Sequence, residues 1–210
     1  MVYLPPAFTE TRRDVLIAHI ERHDFGMLVT HGEAGLIASQ IPFLIEQRGS
    51  QLVLQGHLAR ANPQLDDLDG AAEALAVFAG PHAYISPNWY EAGPSVPTWN
   101  YATVHAYGPS RRIEDAEWLH DLVRRLSDRH EAHEAAQGHA AWRMQDLPGP
   151  YVQSMLKGIV GIEIAVARLE GKFKLSQNRP AADRPRIVAA LDARGDPESA
   201  AVAELMRSRD

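Results

Sequence analysis

The chain has 210 residues, 45% hydrophobic and 23% charged, with a formal net charge of -6 and a pI near 5.9. That balance is ordinary for a soluble globular protein able to bury a sizeable core, and its acidity argues against a surface built mainly for nucleic acid. The sequence contains no cysteine, which excludes disulfides, thiolate metal sites and cysteine nucleophiles.

A cytoplasmic location is expected, since lack of cysteine fits a reducing compartment. Residues 1–6 also lack the basic-then-apolar pattern of a signal peptide, and no apolar run approaches the roughly 20 residues of a membrane helix.

Residues 9–23 predict a helix, with Val15, Leu16, His19 and Ile20 at helical spacing and Thr9 or Thr11 as cap. Residues 25–30 predict a strand and residues 31–35 a hairpin-type loop. A second strand is expected over 36–46, with Pro42 inside it. A proline there removes a ladder donor and marks an edge, a bulge or a place where a ligand meets the backbone. Residues 47–50 turn the chain into a third strand, 51–55. This is a meander, so the sheet is expected to be antiparallel.

Residues 74–79 are apolar enough for a buried strand, which continues through residue 86 and breaks at Pro87. Residues 91–97 predict a loop, with Gly93-Pro94 as its breaker. Residues 98–108 alternate bulky and small side chains, as a half-buried strand does. Six short strands at this spacing suggest a barrel or sandwich.

Residues 114–137 predict a long amphipathic helix with Leu119, Leu122, Val123 and Leu126 as its apolar stripe. A shorter helix over 151–157, a closing strand over 159–169 and a polar exit loop over 172–180 follow. Two helices end the chain, one over 186–193 and one opening at Asp196-Pro197. The expected organisation is mainly β with helices (α+β): a β-barrel domain over 1–184 and a C-terminal helical extension over 185–210 packed on it.

The stretch most suggestive of binding is residues 56–64. Gly56 permits a turn or a close approach to a ligand. Asn62-Pro63 is a cap followed by proline at the first helical position. Between them, His57 and Arg60 sit at a strand-to-helix corner, where free N–H groups, a helix dipole and a forked guanidinium together suit a phosphate. The same residues also describe a capped turn whose arginine faces water.

Other constellations carry less. His130 and His133 are three apart rather than four, so the zinc-protease helix pattern is not met, and a solvated helix end is expected. Residues 66–70 begin like a calcium loop but lack its later glutamate. There is no Gly-x-Ser-x-Gly elbow, phosphate-binding loop or Rossmann fingerprint. Tyr84, Trp89, Tyr90, Trp99 and Tyr101 cluster with His82, Asn100 and His105. Such residues could border a flat, partly polar ring system or serve barrel packing and a homodimer contact.

Four motifs, together with Tyr3-Leu4-Pro5-Pro6-Ala7-Phe8, resemble the PaiB family of FMN-binding negative transcriptional regulators. They are Gly-His-Leu-Ala-Arg-Ala-Asn-Pro-Gln (56–64), Gly-Pro-His-Ala-Tyr-Ile-Ser-Pro-Asn-Trp-Tyr (80–90), Val-Pro-Thr-Trp-Asn-Tyr-Ala-Thr-Val-His (96–105) and Lys-Leu-Ser-Gln-Asn-Arg (174–179). The resemblance covers nearly the whole chain and is least diagnostic after about Arg184. It implies an antiparallel FMN-binding split β-barrel similar to the pyridoxamine-phosphate oxidase group, with helical decorations. A homodimer with FMN in grooves between subunits is part of the same implication.

By that resemblance Arg60 would hold the FMN phosphate, with His57, Ala59, Asn62 and nearby N–H groups. Ser39, Gln40, Ile41 and Pro42 would run along the flavin edge. Thr98, Trp99, Asn100, Lys174, Ser176, Gln177 and Asn178 would complete the site, with the partner subunit as one source.

Three functions are compatible with this reading: a flavin-linked regulator, a flavin-dependent oxidoreductase on a small molecule, and a haem-binding split barrel using His57, His82 or His105. Direct DNA contact is doubtful, since no clear DNA-reading helix is visible and only Arg111-Arg112 and Arg124-Arg125 form basic pairs. The acidic balance therefore predicts almost no salt-dependent binding to nonspecific duplex DNA. A filter-binding titration over about 50–200 mM salt checks this, and a steep slope would overturn it.

Overall fold

Strands dominate the described residues, from the two residues at Thr9–Glu10 to the sixteen at Thr98–Ile113. The computed structural model describes residues 1–70, 72–91 and 94–209, and the breaker expected at Gly93 lies outside them. The elements begin with β1 (Thr9–Glu10), α1 (Arg13–Arg22), β2 (Phe25–Gly32), β3 (Gly35–Pro42), β4 (Leu44–Arg48) and β5 (Gln51–Ala59). They continue with β6 (Glu73–Ile85), β7 (Thr98–Ile113), α2 (Ala116–Ala136), α3 (Gly149–Leu156), β8 (Ile159–Val166) and β9 (Arg168–Lys174). Helices α4 (Asp183–Asp192) and α5 (Pro197–Arg207) end the chain.

The ladder runs β3-β2-β6-β7-β8-β5-β4, with β9 beside β7 and β1 beside β9. The registered pairs are antiparallel, and the path ends at β3 and β4, so the sheet is not closed into a barrel. Contacts divide the chain into two compact units. The first holds Met1–His23, Phe78–His105 and the chain from Leu169 on; the second holds Asp24–Val77 and Ala106–Arg168.

Several local expectations give way to tertiary contacts. Thr9 is not a helix cap; it pairs with Lys172 in the β1–β9 ladder, and the Glu10 carboxylate accepts the Arg12 N–H just ahead of α1. The strand expected over 36–46 is two strands: Pro42 ends β3, and buried Phe43 donates its N–H to the Asp24 carbonyl before β4 begins. The loop expected from Lys172 starts later, because Lys172, Phe173 and Lys174 belong to β9 with the Phe173 ring in the core. Gly56 makes no turn. It pairs with Ile162 inside β5–β8, and a Cβ there would lie 3.1 Å from Ile41 Cδ1 and 3.2 Å from the Pro42 carbonyl.

In the second unit, β5 is buried along most of its length, with β8 on one side and β4 on the other, and α2 packs nearby. Leu122 and Leu126 of α2 pack on Leu44, while Leu119 joins Met144, Val152 and Leu156. The Trp118 ring lies against Gly161, where a Cβ would come within 2.2 Å of it. Truncating a core leucine such as Leu122 costs about 2–5 kcal/mol.

The same unit buries one carboxylate, Glu163, which accepts hydrogen bonds from Arg48 (2.6 Å), Gln55 (2.8 Å) and Arg111. Burial alone would raise its pKa, but these donors together hold it at about 2. The residue remains ionised, as a buried charge with full partners can.

In the first unit, Ile20, Phe78, Ile85, Phe173, Ile187, Leu191 and Val202 form the interior. His19 is buried among them. Its Nε2–H donates to the Phe78 carbonyl at 3.1 Å, and its ring occupies the space where Gly80 lacks a side chain. Burial first, then the nearby His23 and Arg22 charges, push its pKa down to about 4.

The unfolded chain therefore takes up a proton at His19 near pH 6.5, and the folded chain only near 4. Stability from the neutral ring is complete above the unfolded value and is lost as pH falls through this window. The expected loss is on the order of 3 kcal/mol. Urea midpoints measured from about pH 7.5 to 4 should show that loss in the wild type and a smaller one in His19→Gln; equal losses would exclude His19 as the source.

Candidate functional site

The corner after β5 is built almost wholly by hydrogen bonds. The Arg60 N–H donates to the Gly158 carbonyl at 2.8 Å and the Asn62 N–H to the Ala59 carbonyl at 2.9 Å, turning the chain sharply. Asn62 caps the next segment as expected, its Oδ1 accepting from the Gln64 N–H at 2.9 Å, and Pro63 occupies the first turn. That segment is only a five-residue 3-10 helix, Pro63–Asp67. The helix dipole anticipated for this corner is therefore absent, and charge must come from side chains.

Asn62 Nδ2 donates to Ser39 Oγ at 3.0 Å. Buried Gln64 donates through Nε2 to the carbonyls of Leu28 and Ile37, both at 3.1 Å. Thr30 donates to the Asp67 carboxylate at 2.6 Å. The corner and the β2–β3 hairpin are thus pinned together.

Arg60 is held on three sides. Nε donates to the Lys157 carbonyl at 2.9 Å, Nη2 to the Ile159 carbonyl at 3.2 Å and Nη1 to Glu114 Oε2 at 2.8 Å. A guanidinium has five N–H donors, so these bonds leave donors unspent. Glu114 is held below the usual carboxylate range by that hydrogen bond and by the Arg60 charge.

Two cavities meet at this pair. One, of about 370 Å³, is lined by Arg60, Asn62, Asp66, Arg112 and Glu114 among others. The other, of about 480 Å³, is lined by Arg60, Glu114, Glu117, His120, Gln153 and Lys157 with apolar neighbours.

His57 lies on β5 with its Nδ1 buried and without a protein partner, and burial lowers its pKa. Of the four edge residues, Ser39 and Pro42 are partly exposed, Gln40 is exposed and Ile41 is buried, so Ile41 can offer only its backbone. Ala59 ends β5 at the surface.

In the first unit, Thr98, Asn100, Lys174, Ser176 and Asn178 line one cavity of about 280 Å³. Lys174 Nζ donates to Thr98 Oγ1, and Ser176 Oγ donates at 3.1 Å to the Oδ1 of fully buried Asn100. Gln177 turns away to hold the bend: its Oε1 accepts the Leu175 N–H and its Nε2 donates to the Phe173 carbonyl. Trp99 stands about half exposed against His82 and Tyr84.

Sequence reasoning missed Arg179, Tyr90 and Phe8 as lining of this cavity, and Arg112 and Glu114 at the corner. Arg179 closes the quoted 174–179 motif and could have been found there. Glu114 is separated from Arg60 by 54 positions and carries no local signal.

The basic pairs are compensated. Arg111 meets Glu163, Arg124 meets Asp121 and Asp128, Arg125 meets Asp121, and Arg112 lies 3.9 Å from Asp66. Of the candidate haem ligands other than His57, His105 is half-buried with a lowered pKa, and His82 is exposed beside Glu198. No helix of the described residues is long and apolar enough to cross a membrane.

Similar folds occur in the flavocytochrome Anf3 of Azotobacter vinelandii and in an FAD- and heme-binding protein of Mycobacterium smegmatis. The first has a TM-score of 0.59 and 9% identity over 81% of this chain and 72% of that one. The second has a TM-score of 0.53 and 17% identity over 79% and 73%. The architecture is accordingly that of split-barrel flavoproteins, with the sheet left open.

Residues 2–168 match the family described as "Putative FMN-binding domain". The chain is 33% identical over 208 residues to Protease synthase and sporulation protein PAI 2 of Bacillus subtilis, covering 99% of this chain and 98% of that one. It is 30% identical to Uncharacterized protein AN0679 of Emericella nidulans, covering 99% and 97%. The chain belongs to the PaiB-type family of FMN-binding proteins.

Proposed function

We propose that this chain is a flavin-linked regulatory protein of the PaiB type, holding FMN with its phosphate at the Arg60 corner. The observation that carries this reading is a guanidinium fixed by two backbone carbonyls, with donors to spare, beside a cavity that also presents Arg112 and Asn62. His57 is carried with the corner, although its Nδ1 is buried and it does not line the cavity. The cavity sets two guanidiniums and an amide against two carboxylates, Glu114 on Arg60 and Asp66 3.9 Å from Arg112, and both pairs are exposed enough for a phosphate to replace the carboxylates at little cost.

Ser39 to Pro42 would present backbone groups to the ring, with side chains from Ser39, Gln40 and Pro42 alone, since among the described residues β3 ends the ladder beside β2. Thr98, Trp99, Asn100, Lys174, Ser176, Gln177 and Asn178 are carried as the remaining part of the site, and five of them line the first-unit cavity, where a molecule reacting with the flavin, rather than the flavin itself, would sit. When bound, the flavin supplies hydride or single-electron chemistry. The protein's residues contribute binding, orientation and charge.

The regulatory role comes to this chain from its family. Neutralised arginine pairs favour action through a metabolite or protein partner over direct contact with DNA. A second reading, a flavin-dependent oxidoreductase on a small molecule, is favoured by the separate cavity in the first unit. Reduction of bound flavin by nicotinamide nucleotides distinguishes the two.

The chain is proposed to be a homodimer. Phe25, Met27 and Val29 of β2 and Leu36, Ala38 and Pro42 of β3 lie on one face by register, with Phe25 66% and Leu36 74% exposed. His31 and Gln40 share this face, which is mainly apolar, and exposed apolar surface of this kind marks protein contacts.

The visible spectrum of freshly purified protein tests the cofactor, separating flavin, haem and colourless states. A colourless protein that takes up no FMN would end the reading. Arg60→Ala should weaken FMN binding about ten- to hundredfold in a fluorescence titration while leaving the dimer intact; unchanged affinity would count against the corner. Met27→Asp combined with Leu36→Asp should give a monomer by light scattering, and a persistent dimer would move the interface elsewhere.

A further inference from the structure

The cavity of the first unit differs in charge from every other concavity described above. Its ten lining residues include two cations, Lys174 and Arg179, and no carboxylate, in a chain whose formal net charge is -6. Among the described residues neither cation meets an acidic partner. Lys174 spends one donor on Thr98 Oγ1. Arg179 lies 3.5 Å over the Tyr90 ring, a contact that orients the guanidinium without consuming its N–H groups.

The cavity is built, not incidental. Ser176 holds φ at 62°, in the left-handed region that a non-glycine residue enters at a cost. It is kept there by the Arg179 N–H bonding to its carbonyl at 3.0 Å and by Gln177 Oε1 receiving the Leu175 N–H. This conformation directs the chain so that Lys174, Ser176, Asn178 and Arg179 all line one space. Phe8, Tyr90, Val96 and Pro97 supply an apolar wall.

We propose that this cavity binds a small molecule bearing one carboxylate or phosphate on an apolar or aromatic body. Lys174 and Arg179 receive the anion, and the wall receives the body. About 280 Å³ admits a single ring with its acid group but no larger cofactor body. Calling this molecule the reaction partner or effector of the flavin rests on the reading given under Proposed function; binding of the anion itself does not.

Calorimetry on the purified full chain loaded with FMN, using benzoate, phenyl phosphate and the cationic isostere benzylamine, tests the proposal. One or both anions should bind and benzylamine should not, and the stronger anion identifies the acid group. Arg179→Gln should weaken anion binding at least about tenfold and change FMN affinity little. Val96→Trp, at an exposed rim position, should block the anion without touching either cation.

Two results would overturn the proposal. One is that neither anion binds while FMN does. The other is that Arg179→Gln weakens FMN but not riboflavin, because the cavity would then hold the cofactor's own phosphate. Anion binding by a chain that takes up no FMN would leave this pocket standing and remove the flavin reading alone.

Discussion

The corner depends on one guanidinium being immobilised before any ligand arrives. Arg60 does so by completing two backbone carbonyls, those of Lys157 and Ile159, where α3 ends and β8 begins. The last carbonyls of a helix have no partner within it, so the arginine satisfies groups that would otherwise need water. A side chain fixed in this way loses little further freedom when it accepts an anion, which is how preorganisation favours binding. Glu114 moderates the arrangement. An ion pair this exposed is worth little in water, so the phosphate proposed for this corner would displace it at little cost.

The charge layout divides the chain's arginines by task. Arg48 and Arg111 are occupied with Glu163, whose burial would be untenable without them. Arg124 and Arg125 are occupied with Asp121 on the surface of α2. Arg60 and Arg112 stand at one cavity with carboxylates nearby, and Lys174 and Arg179 stand at another without any. A net acidic protein thus gathers cations at two cavities while the arginine pairs of its second unit are met by carboxylates.

Much of the fold was legible because the elements are specified by neighbours in sequence. The α2 stripe, the Asn62-Pro63 cap, the Asp196-Pro197 helix start and the antiparallel pairing of neighbouring strands in the first half appear as read, but the continuous meander does not, because β3 and β4 stand at opposite ends of the ladder. Local signals misled where distant partners decide. Thr9 reads as a cap until Lys172 pairs with it. Lys172 and Lys174 read as a loop until Phe173 is seen in the core. Gly56 reads as a turn or as a close approach to a ligand until Ile41 and Pro42 are seen against it.

The sequence alone determined the family, the antiparallel sheet, and the residue types gathered at positions 56–64 and 174–179, because motifs and periodicity are properties of consecutive residues. Only the tertiary structure decided which of those side chains share a cavity. It alone turned Gln177 back onto its own bend, brought Glu114 to Arg60 and left Arg179 stacked on Tyr90. Hydrogen bonds and ion pairs act over a few ångströms in space, whatever the separation along the chain, and that distance is created by folding.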